Sequence, residues 1–346
     1  MRKLLLILLC VPLIGFGQDS SYIFQPMPEY IILEKIEKIP EYHLTVDQYI
    51  HHGSSSLEDF TPSALYQGHH NMCLSYALST IRTIIYAYDN NITNIDTIDH
   101  NRFSPFFIYY MAHGSKNRYE KRKCKKPLGI RESINIIGEY GIPKSSNVEY
   151  PYYYPYTEDR LCSCYPTTDS LGLKEDLYES YLYRLDAERI DVDNLSGKDF
   201  VNTIKSLIIE DRPCLLGTLI PEKWYHDKKG RKNYGRERVS LRGKKGKESG
   251  HAMVIIGWDD SKFGGAFQIM NSWGSNWGVD GKAWIKYSEF RRFRKKMPVY
   301  SFSSYSGSTE EIPTSLLNDL ESQKPNPKYK YINSSNEKQC VVKKWK

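Results

Sequence analysis

The chain changes its hydrophobic period partway along, and that change limits the folds open to it. Between Cys73 and Tyr88 the residues Leu74, Ala77, Leu78, Ile81, Ile84 and Ile85 recur at helical spacing. Ser104-Pro105 offers a capping hydroxyl followed by proline at a first helical position. Phe106 to Ala112 is then apolar nearly all round, which predicts a buried helix. Ile130 to Tyr140, closed by Gly141, predicts another, and Ser196-Gly197-Lys198-Asp199 has the form of a capping box opening a helix through Ile208. Further on the apolar stretches shorten. Cys214 to Ile220, Ala252 to Trp258, Ala266 to Met270 and Ala283 to Tyr287 have the length and β-branched content of strands, with Gly264-Gly265 turning the second into the third. Helices followed by an antiparallel sheet make an α+β chain.

The two ends read differently from this body. Arg2 and Lys3 precede an apolar run from Leu4 to Phe16, and Gly15 and Gly17 supply the small residues of a cut before Gln18. This is the pattern of a secretory signal peptide over 1–17, too short for a comfortable membrane span. Cys10 is a poor lipoprotein anchor because bulky Leu9 precedes it. Residues 18–44, with Pro26, Pro28 and Pro40, read as a short extended leader, and 303–346 as a polar, mobile tail rich in Ser, Glu, Asn and Lys. The body is expected over 45–302. No later stretch is long and apolar enough to insert stably in a membrane, so the exported chain is expected to be secreted or periplasmic. A net charge of +7 from 48 basic and 41 acidic residues is too small and too dispersed to imply nucleic acid.

Export alters the meaning of the cysteines. Six follow the cut: Cys73, Cys124, Cys162, Cys164, Cys214 and Cys340. An oxidising compartment favours disulfides, and Cys124 is expected to bridge to Cys162 or to Cys164. The spacing for a structural zinc site is missing, and no metal or organic cofactor is expected.

Three residues bear on chemistry as a set. Cys73 starts its helix, where the positive end of the dipole favours a thiolate. Alone it would be a buried thiol or half of a disulfide. His251 opens an apolar strand and Asn271 closes another; alone they would be a structural histidine and a turn former. Together, a Cys–His pair oriented by a neutral amide is a nucleophilic apparatus. Gln67 offers an amide N–H to join the Cys73 backbone N–H in an oxyanion hole.

Gln67-Gly-x-x-x-x-Cys73 heading a helix, then Gly250-His251-Ala252, then Asn271-Ser-Trp-Gly-x-x-Trp-Gly278 with Gly281 beyond, resembles the papain-like (C1-type) cysteine peptidases. Ser104-Pro105, Tyr140-Gly141-Ile142 and Tyr150-Pro151-Tyr152 match further pieces. The resemblance implies two lobes, one helical with Cys73 and one barrel-like and antiparallel with His251 and Asn271, with substrate in the cleft between. It implies Cys73 as nucleophile, His251 as its proton partner, Asn271 as the group orienting His251 and Gln67 as oxyanion donor. Trp273, which shields the Asn–His bond, Leu128, Gly129 and Gly250 then lie along the substrate. The implied activity is peptide-bond hydrolysis through a thiol acyl-enzyme, by an exported monomer acting on peptides or proteins. Two other uses of the same set are a silent peptide- or partner-binding relative and an acyl transferase.

This sequence departs from the family at several places. Leu74 replaces the usual Trp, Asn71-Met72 the usual Gly-Ser, and His70 a common disulfide cysteine. Pro127-Leu128-Gly129 stands near where a glycine pair is usual, which narrows the non-primed side. The leader is too short for an inhibitory helical propeptide. Basic runs at Lys116–Lys126 and Lys228–Lys247 read as solvated loops that could also favour acidic peptides. The Cys73–His251 pairing predicts a lowered thiol pKa and a raised imidazole pKa.

Overall fold

The computed structural model describes residues 38–42, 52–68, 71–114, 127–146, 150–151, 180–224, 235–243, 246–307 and 342–343. The signal segment, the basic run at 116–126, His69 and His70, and Cys124, Cys162, Cys164 and Cys340 lie outside them, as does the disulfide expected among these cysteines.

Four helices come first: α1 (Cys73–Asp89), α2 (Ile95–His100), α3 (Pro105–Gly114) and α4 (Ile130–Tyr140). Their starts follow from local chemistry. Asn94 accepts a hydrogen bond from the Thr97 amide at the head of α2, and Ser104 Oγ accepts from Phe107 N at the head of α3. Gly141, at φ 73°, closes α4, and a Cβ there would sit 1.7 Å from the carbonyl oxygen of Ser180. The apolar stripe of α1 is buried, with Leu78, Ile81 and Ile84 fully enclosed.

The strands are β1 (Glu41–Tyr42), β2 (Ser54–Ser56), β3 (Tyr150–Pro151), β4 (Leu185–Ile190), β5 (Cys214–Pro221), β6 (Glu248–Asp259), β7 (Ala266–Met270), β8 (Lys282–Lys286), β9 (Val299–Ser304) and β10 (Val342–Lys343). Helix α5 (Gly197–Ile209) precedes β5, and α6 (Tyr287–Phe293) follows β8. One sheet runs β1-β4-β9-β5-β6-β7-β8, and β2 pairs with β6 near its C-terminal end. Helix α1 packs across β5 and β6, so the two longest described strands meet the longest described helix over a shared core that includes Leu78, Leu216, Val254 and Ile255.

The helix-then-sheet reading is correct in outline and wrong in order. Helices α5 and α6 lie among the strands, and Tyr287, expected to end a strand, begins α6. The sheet is not wholly antiparallel, because β1 pairs with β4 in parallel. Ile39, with β1, joins the body from the leader side, and β9 extends to Ser304. Near the C-terminus, β10 pairs with β3. Ser196 caps α5 as expected, its hydroxyl accepting from Asp199 N at 3.1 Å.

Candidate active site

Helix α1 begins at Cys73, and strand β6 passes beside it. The backbone N–H groups of Ala252, Leu74 and Cys73 face the Cys73 sulfur. Ala252 follows His251 in β6, so the strand brings His251 to within one residue of the N–H that faces the sulfur. His251 and Asn271 are both buried, and His251 Nε2 lies 2.7 Å from Asn271 Oδ1. The Ser272 backbone N–H donates to the same Oδ1 at 2.8 Å. A backbone N–H can only donate, which identifies the atom as the amide oxygen, an acceptor; Nε2 must then carry the proton, and Nδ1 is the ring nitrogen left to exchange one with the thiol. The indole of Trp273 covers the imidazole at 4.8 Å between ring centroids, tilted by 37°.

The segment that holds Asn271 is locked from behind. Asn271 N donates to the Gly281 carbonyl at 2.9 Å, and Gly281 N donates to the Trp277 carbonyl at 2.9 Å. Gly278 and Gly281 have φ of 62° and 77°, and a Cβ at Gly281 would lie 2.0 Å from the Cβ of Ala64. This turn therefore closes only with glycine at those two positions. Trp277 meets Trp273 edge to face at 5.8 Å, and Trp224 lies 5.8 Å beyond Trp277.

Gln67 is held by the same segment. Its backbone N–H donates to the Ser272 carbonyl at 2.9 Å, and its side-chain oxygen accepts from Ser272 Oγ. The amide oxygen is thus committed to Ser272, which places the NH2 group on the other edge of the amide. Ser272 is the site residue that sequence reasoning passed over. It lies inside the quoted motif, but nothing in a sequence says that its hydroxyl orients Gln67 or that its N–H orients Asn271. Tyr66 was also missed; it pairs with Trp273 across an isolated antiparallel bridge.

The remaining expected positions are less closely joined to this group. Gly129 is the residue before α4, and Leu128 packs partly buried against the core. Gly250 pairs with Leu219 in β5 and is exposed, with open space where a Cβ would be. The described part of the basic run over 228–247 is stitched to β8, with Val239 N donating to the Trp284 carbonyl at 3.0 Å and Trp284 N to that of Glu237 at 2.8 Å.

The electrostatics run opposite to the sequence expectation. Burial pushes the Cys73 thiol up, and the three facing N–H groups only partly offset it. Burial pushes His251 down to about 4, against the opposing pull of the Asn271 hydrogen bond. A helix start contributes about half a unit charge at most, whereas desolvation acts on the whole charge of each form. Taken singly, each group is driven toward its neutral state.

No protein-family model matches the sequence, and no curated protein matches it. Solved structures do. Xylellain, a cysteine protease from Xylella fastidiosa, matches with a TM-score of 0.56 at 18% identity, over 80% of this chain and 97% of that one. Digestive procathepsin L2 proteinase from the larval midgut of Tenebrio molitor matches with a TM-score of 0.52 at 14% identity, over 80% and 77%. Procathepsin L 3 from the same midgut gives 0.51 at 14%, over 76% and 73%. The fold is the two-lobed α+β fold of papain-like cysteine proteases.

Proposed function

We propose that this chain is an exported cysteine peptidase that hydrolyses peptide bonds through a thioester acyl-enzyme. The observation that carries the reading is the buried 2.7 Å bond between His251 Nε2 and Asn271 Oδ1 on a strand whose next residue turns its N–H to the Cys73 sulfur. In this reading Cys73 attacks the scissile carbonyl while His251 Nδ1 takes the thiol proton. The carbonyl oxygen becomes an oxyanion, which the Cys73 backbone N–H and the Gln67 NH2 group stabilise. Collapse expels the amine, which takes the proton from His251, and leaves an acyl group on sulfur. Water, giving a proton to the neutral imidazole, then attacks the thioester, and the carboxylic acid leaves as the thiol re-forms. Asn271 holds the ring on its axis throughout, and Trp273 keeps water from that bond.

Leu128, Gly129 and Gly250 line the substrate path in this proposal, and the substrate is a peptide or protein met by a monomer. Export rests on the N-terminal pattern of the sequence. Among the described residues no helix is long and apolar enough to cross a membrane.

Two measurements test the reading. The purified protein should cleave fluorogenic peptides, and a thiol-directed epoxide should label Cys73 and stop the cleavage. Binding of peptides without cleavage or labelling would favour the silent relative. Formation of the amine adduct to the exclusion of the hydrolysed acid would favour the transferase.

A further inference from the structure

Tyr66 keeps 51% of its surface exposed although it stands between Gln67 and the strand segment that carries Asn271. Its position is fixed by backbone. Gln67 N donates to the Ser272 carbonyl and Gly274 N to the Leu65 carbonyl, both at 2.9 Å, which places Tyr66 directly opposite Trp273 in an antiparallel bridge. Directly opposed residues of such a pair send their side chains to the same face. Trp273 on that face lies over His251. The Tyr66 side chain lies against the Gly274 turn, since a Cβ built there would be in ordinary contact, 3.5 Å from Tyr66 Cβ and 3.9 Å from its Cδ2. The partly buried indole and the exposed phenol therefore share one face as an aromatic ledge beside the imidazole, with Leu65 also exposed next to it.

The occupant follows from the chemistry of His251. On the peptidase reading, on which this inference rests, the nitrogen that leaves must come within hydrogen-bond reach of the imidazole. The residues after the scissile bond then cross the ground next to that ring, and the ledge is that ground. An apolar surface of this size beside a reacting centre is stabilised by covering it with an apolar side chain. We propose that Tyr66, together with Trp273, selects peptides that carry an aromatic or branched aliphatic side chain within the first two positions after the scissile bond.

The test uses the full chain and quenched peptides that share one acyl half and differ after the scissile bond, with Phe, Leu, Gly or Asp at the first two positions. In the wild type, kcat/KM should favour Phe and Leu over Gly by about tenfold, the scale of one well-filled apolar contact. That ratio should collapse toward one in Tyr66→Ser and persist in Tyr66→Phe, which keeps the ring. A second measurement needs no variant. Phenylalanine amide should capture the acyl group from Cys73, forming the C–N bond as the C–S bond breaks, more efficiently than glycine amide at equal concentration. An unchanged ratio in Tyr66→Ser, or equal capture of the two amides by the wild type, overturns the inference while the peptidase reading stands. Failure of the wild type to cleave any of the peptides overturns both.

Discussion

The bond between His251 Nε2 and Asn271 Oδ1 settles the tautomer of the imidazole before any substrate arrives. It makes Nδ1 the working nitrogen and gives the pH profile its shape. With His251 held down to about 4, the rate should rise as pH increases through about 4, where the ring loses its proton and can accept that of Cys73. Asn271→Asp puts a carboxylate beside the ring, which favours imidazolium, so the acid limb should move to higher pH. A limb that stays in place in the variant would mean that another group governs it. Cys73→Ala should lower kcat on the order of 10⁵–10⁶-fold, since nothing else there can form the acyl intermediate. Gln67→Ala should cost roughly 10²–10³-fold, as expected for one oxyanion donor, and steady-state kinetics on one fluorogenic peptide would check both. At this scale the identities of Cys73, His251, Asn271 and Gln67 were legible in the sequence, because each falls at a break in pattern: a helix start, a strand start, a strand end and a polar loop. Their ionisation was not legible. It depends on how deeply neighbouring elements bury them, which no spacing encodes.

Among the elements, the legible ones are those with a full period and a chemical stop. Helix α1 has six apolar positions on one face, and α4 has its glycine. The missed ones are short or carry mixed signals. Strand β4 reads Leu-Asp-Ala-Glu-Arg-Ile, with only its two end residues buried, and β1 is two residues long. Their pairing is parallel, which requires a long connection that local pattern cannot announce. The turn from Asn271 to Gly281 is the opposite case. Its glycines are visible in sequence, and the structure supplies the reason: the Gly281 carbonyl receives the Asn271 amide while its α-carbon lies against Ala64. Gly281→Ala should therefore destabilise the chain by on the order of 2–3 kcal/mol, through left-handed backbone strain and overpacking together. It should also lower kcat, because Asn271 hangs from that carbonyl. Urea unfolding alongside kinetics would show whether the two losses travel together; a stable, fully active variant would mean that the turn relaxes freely.

For the whole molecule, the arrangement of lobes was legible only through resemblance, since helical and strand periods do not say which helix crosses which strand. What the assembled molecule adds is burial of His251 against Asn271 and beneath Trp273, and this has a consequence for stability. An imidazole with an ordinary pKa of 6.5 when unfolded and about 4 when folded binds more protons in the unfolded chain between those values. Stability is then fully present above pH 6.5 and is lost as pH falls toward 4. Glu58, Asp191 and Asp259 are also held below their ordinary values, but those begin at 4.5, 3.8 and 3.8, so their contribution fades at lower pH. Among the described groups, comparing pH 7 with pH 5 therefore isolates the histidine. Over that interval it should remove about 2 kcal/mol, read as a lower urea midpoint or a Tm several degrees lower. His251→Asn keeps a polar side chain in the place of the imidazole and removes the titration, so its unfolding midpoint should change much less between the two pH values. Equal losses in wild type and variant would show that His251 is already protonated in the folded chain at pH 5. The imidazole would then carry its charge into the resting site, and Cys73 would hold the matching thiolate, the ion pair that burial of each group alone opposes.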